Sequence, residues 1–114
     1  MTVGEALHRR AAEHGATLGE AATAGDGRPA TPTAALDLAV RTLAEHGYEP
    51  RRDGASAVLA NCPFLALAEA QRDLVCGMNH ALVTGVVEGI APGTVSARLE
   101  PAPGRCCVTL AVGS

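Results

Sequence analysis

Residues 61–90 read NCPFLALAEAQRDLVCGMNHALVTGVVEGI, and this stretch sets the architecture. Pro63 can open a short helix, FLALAEAQ, because a proline at the first helical position lacks only an N–H that would be unpaired there anyway. Cys62 then falls at the N-cap of that helix. A longer helix follows from Asp73, a good N-cap residue, to Gly89 or Ile90. Gly77, Ala81, Gly85 and Gly89 recur on it at four-residue spacing and share one face. Each glycine costs about 1 kcal/mol of helix propensity relative to alanine. Such a face predicts a close approach to another backbone.

Before this stretch, Tyr48 to Arg52 and Ala55 to Asn61 are extended runs joined by Asp53-Gly54, a hairpin signal in which both central residues take positive φ. Pro50 has no N–H to give a ladder and so belongs on an edge strand. After it, residues 94–100 and 105–112 read as two further strands joined by the turn PAPG.

At the N-terminus, Thr2 with Glu5 fits a capping box, and a first helix is expected from Val3 to His14 or slightly beyond, with Gly15 as its stop or break. Its apolar stripe, Val3, Leu7, Ala11 and Leu18, is narrow enough to need only one partner, for example the same helix of a second subunit. AATAGDGRPAT then reads as a mobile loop. Thr31 caps a second helix that starts at Pro32, buries Leu36, Ala39, Val40 and Leu43, and ends at Gly47 with His46 favourably near its C-terminus. The expected order is ααββααββ, an α+β fold with helices covering a four-stranded antiparallel sheet. Residues 1–114 form one domain, with 1–30 as helix and loop and 31–114 as the α+β core.

The 114 residues are 47% apolar and 2% aromatic. A domain of this size buries roughly 65% of its unfolded surface, here mostly with Ala, Val and Leu. A bound metal would add materially to such a core, since structural zinc contributes on the order of 10 kcal/mol. The net charge of -3 and pI near 5.7 argue against a nucleic-acid-binding surface, which requires a clustered basic face. Arg9-Arg10 and Arg51-Arg52 read as solvated pairs. No apolar run approaches the ~20 residues of a membrane span, and MTVGEALHRR lacks the apolar core of a signal peptide. A cytoplasmic location is expected, in which clustered thiols point to metal or redox chemistry rather than persistent disulfides.

The four cysteines are Cys62, Cys76, Cys106 and Cys107. Helix N-terminal positions favour the thiolate form at Cys62 and, more weakly, at Cys76. His80 lies one turn beyond Cys76 on the same face. Strand alternation puts Cys106 in register with Val108 and Leu110, toward the helices, and turns Cys107 to the other face, whereas a bend or bulge of the strand here would let both reach one ion. Three thiolate ligands are therefore expected, with the fourth position open to Cys107, His80, water or an external group. Spacing alone does not choose between zinc and an iron–sulfur cluster. The alternative is that the cysteines only pack, as small buried apolar residues do. Cys62, His80 and Asn79 could imitate a thiol-protease set, but a Cys-Pro junction is a poor nucleophile site. Gly25-Asp26-Gly27 is not followed by the lysine of a phosphate loop. His8 and His14 read as exposed, and the chain is not expected to be an enzyme.

The run NCPF, LVCGMN, G-x-x-E-G (85–89) and ARLEPAPGRCCVTL resembles the C-terminal effector domain of bacterial winged-helix transcriptional regulators. It is similar to the iron–sulfur-sensing repressors of cluster assembly and more remotely to vinyl-reductase-like small-molecule-binding domains. The resemblance covers nearly the whole chain and is most specific from Asn61 to Leu110. It implies a cysteine-ligated cluster or zinc at Cys62, Cys76 and Cys106 or Cys107. It also implies homodimerisation through the first helix, a redox or small-molecule effector, and DNA contact only through a winged-helix domain that is not in this chain. Cysteine separations differ from those of the cluster-binding repressors, and Gln71-Arg72 stands where relatives often have His-Pro.

Overall fold

The structure is a computed structural model that describes residues 2–61, 72–100 and 107–112. Within them the order is α1 (Val3–Asp26), α2 (Pro32–Glu45), β1 (Pro50–Asp53), β2 (Ser56–Leu59), α3 (Arg72–Ile90), β3 (Val95–Leu99) and β4 (Val108–Val112). The fold is α+β, with an antiparallel sheet in the order β1-β2-β4-β3. The expected short helix at 64–71 and the PAPG turn lie outside the described residues, so the described order is ααββαββ.

Two helix starts follow the sequence closely, but the long helix already includes Arg72, so Asp73 lies in its first turn and is not its N-cap. Thr2 Oγ1 accepts from the Glu5 N–H at 3.1 Å and Thr31 Oγ1 from the Ala34 N–H at 3.1 Å, each satisfying a donor that the first turn leaves unpaired. At the other end of α2, the His46 ring donates through Nδ1 to the Thr42 carbonyl at 2.8 Å.

The first helix departs from expectation. It does not stop at Gly15 but runs 24 residues to Asp26, taking in half of the segment read as a loop. Gly15 and Gly19 are its buried residues, and a Cβ added at Gly15 would overlap the Leu82 carbonyl oxygen of α3. Its glycines are therefore a packing surface rather than a terminator. Only at Gly27, with φ 84°, does the chain leave the helix.

α1 and α3 run in the same direction, since Gly4 meets Leu74, Gly15 meets Leu82 and Gly19 meets Gly89. The four-residue glycine face of α3 thus finds its backbone partner within the chain: Gly85 abuts the Ala12 carbonyl and Gly89 the Ala16 carbonyl. Three layers result, with α1 on α3, and α3 with α2 on the sheet. The core lies between the last two layers and includes Leu36, Leu43, Leu59, Val83, Val86, Val108 and Leu110.

Pro50 opens the edge strand β1, as its missing N–H requires. The hairpin turn sits one residue later than expected. Asp53 pairs with Ser56, so Gly54 and Ala55 are the central residues, and only Gly54 has positive φ, 61°. Glycine at the first central position is the pattern of a type II′ turn. Arg52 bonds Asp37 and, at 2.9 Å, the Gly54 carbonyl, which ties the hairpin to α2. Arg41 and Asp26, 2.7 Å apart, join α2 to the end of α1. No helix among the described residues is long and apolar enough to cross a membrane.

Candidate functional site

α3 is the element on which the candidate chemistry converges. One stripe of it, Val75, Asn79, Val83, Val86 and Ile90, is buried against the sheet and α2. Asn79 is the one polar residue in that stripe, and it is fully buried. A buried amide must find partners or lose hydrogen bonds it would make in water. Here Tyr48 donates its hydroxyl to Asn79 Oδ1, and Asn79 Nδ2 points to Cys107 Sγ at 4.0 Å. A buried polar chain, Tyr48 to Asn79 to Cys107, crosses the core from the segment before β1 to the approach to β4.

The placement of Cys107 corrects the alternation argument. Cys107 was expected on the far face of the last strand, with Thr109 and Ala111. It is instead buried and part of the apolar core beside α3. Within β4 Val108, Thr109 and Leu110 are all buried, and Cys107 stands in a bend just before the strand. The two-residue period applies only to pleated backbone, so it does not carry across the bend.

Cys76 is partly buried and packs against the same core, one turn before Asn79 on α3. Cys62 and Cys106 lie outside the described residues. In the chain, each is next to an anchored neighbour: Asn61, whose Nδ2 donates to the Gly47 carbonyl at 3.3 Å, and Cys107. Among the described residues no three His, Cys, Asp or Glu side chains come together as a metal site would require.

His80, the other contested ligand, turns a different way. Its Nε2 lies 2.9 Å from the Ala97 carbonyl of β3, which holds the ring over the strand. Next to it a cleft of about 260 Å³ opens between α3 and β3, lined in part by His80, Thr84, Glu88 and Ser96. The residue that sequence reasoning undervalued is Asn79. Its signal was present, as a lone polar residue in a helical apolar stripe.

These features define a layered α+β domain with Cys107 and a polar chain in its core, Cys76 packed against that core, and a small cleft between α3 and β3. No family model, curated protein or solved structure matches the chain.

Proposed function

We propose that the chain is a regulatory sensor domain in which cysteine thiolates, Cys62 and Cys76 with Cys106 or Cys107, hold a zinc ion or an iron–sulfur cluster. In this reading the domain is not an enzyme, and occupancy or oxidation of the site changes the packing of α3. The observation that carries it is the entry of Cys107 into the core beside α3, the helix that also bears Cys76. Thiols from two distant parts of the chain thus belong to one core. The fit of α1 against α3 gives such a change a route outward, because two backbones in contact without intervening side chains shift together. In a longer regulator, α1 would pass that motion to a DNA-binding domain or to a second subunit.

The test is anaerobic purification followed by measurement of zinc, iron and sulfide and a visible spectrum. Metal near stoichiometric, lost when Cys62 and Cys76 are replaced by serine, is the expected result. A metal-free protein that folds normally and is indifferent to those substitutions would overturn it.

A second reading is favoured by the cleft between α3 and β3: a small-molecule-binding or dimerisation module whose cysteines only pack. It predicts a thermal stability unaffected by chelators.

A further inference from the structure

We propose that the cleft between α3 and β3 binds a small aliphatic amine. This inference rests only on the small-molecule-binding part of the second reading above and holds whether or not the cysteines bind metal. The cleft holds about 260 Å³, room for on the order of eight waters at about 30 Å³ each. A ligand of roughly that many non-hydrogen atoms fits. Its chemistry follows from the groups presented.

His80 Nε2 is opposite a carbonyl, which can only accept. The neutral ring therefore carries its proton on Nε2 and offers Nδ1 as an acceptor. The Glu88 carboxylate receives the Gly93 N–H through Oε2 at 3.3 Å and keeps further lone pairs for a donor. The Ser96 hydroxyl is directed to the Ala111 carbonyl at 3.5 Å, leaving lone pairs toward the cleft. The chain has no lysine, and no arginine among the described residues lines the cleft, while Val87 and Val95 supply an apolar wall. Acceptors with one negative charge and no cation select against carboxylates and phosphates and favour a ligand rich in donors. An ammonium group at Glu88, a short hydrocarbon body along the valines and a donor reaching His80 satisfy all of these together. Glu88 and His80 are eight residues apart on α3, about 12 Å along the helix axis, and a five-carbon amino alcohol is a probe of that order of length.

The probe is 5-amino-1-pentanol, titrated into isotope-labelled protein and followed through backbone amide resonances, with pentanoate as an anion of equal length. Saturable shifts concentrated in residues 80–97, absent with pentanoate, are expected. Glu88 is exposed, so Glu88→Gln keeps the fold, and its affinity should fall by roughly 5-fold, the effect of losing one exposed ion pair. No saturation, an equal response to pentanoate, or an unchanged affinity in Glu88→Gln overturns the proposal. Metal content measured on the same samples reports separately on the cysteine site.

Discussion

At the scale of single residues, the core turns on Asn79. It is the one polar group in the buried stripe of α3, and it connects Tyr48 to Cys107. Replacing it by alanine removes a partner from both and leaves a void, so Asn79→Ala should destabilise by roughly 2–3 kcal/mol, the cost of stranding buried polar groups. Tyr48→Phe removes only the hydroxyl and should cost about 1 kcal/mol. Urea unfolding of both variants checks the order; a Tyr48→Phe cost near zero would mean that the amide gains nothing from the tyrosine. Thr84 presents the opposite case. Its hydroxyl is buried with no hydrogen-bond partner, whereas Thr17, Thr23 and Thr42 each donate back to a carbonyl of their own helix. Thr84→Val keeps the shape and removes that group, and should stabilise by about 1 kcal/mol in the same measurement.

At the scale of elements, the sequence made the starts of α1 and α2 and the approximate positions of strands readable, because capping hydroxyls and turn residues act within a few positions. Thr2, Thr31, Pro50 and Gly54 all behave as local chemistry requires. The end of α1 was not readable in that way. Gly15 looks like a stop when judged locally, and it becomes a contact only when α3 arrives, some seventy residues further along the chain, with its own glycines. Cys107 was misjudged for a related reason, since a bend before β4 cancels an alternation that the sequence alone presents as continuous. The glycines give a direct test by contrast. An added Cβ at Gly85 would meet the Ala12 carbonyl, but at Gly25 it would meet nothing. Gly85→Ala should destabilise by roughly 1–3 kcal/mol through overpacking. Gly25→Ala, in the exposed last turn of α1, should stabilise by up to about 1 kcal/mol through helix propensity alone. If thermal melts gave both substitutions the same sign, the close α1–α3 packing would be wrong.

For the whole molecule, the decisive quantity is how much stability comes from outside the apolar core. The core is assembled largely from Ala, Val and Leu, with a single buried aromatic residue, Tyr48, among the described residues. Such side chains bury little area each, and each Å² contributes about 25 cal/mol. A metal bound by thiolates would stand out against this background, since a ligand present at 100 times its dissociation constant stabilises the folded state by about 2.7 kcal/mol. In a domain of about this size that moves Tm by roughly 10 °C or more. Protein purified anaerobically should therefore lose at least that much in Tm when a strong chelator is added, and Cys76→Ser, together with Cys107→Ser where Cys107 rather than Cys106 is the third ligand, should melt near the chelated value with or without chelator. The two substitutions also separate the readings. If the cysteines only pack, Cys107→Ser places a hydroxyl in the core at a cost of about 1–3 kcal/mol, while Cys76→Ser, at a partly buried position, costs less and the chelator has no effect on any of the three proteins. A chelator response in the unaltered chain that both serine variants abolish belongs only to a shared thiolate site, and its size then measures how far the ion, rather than the small apolar core, holds the layers together.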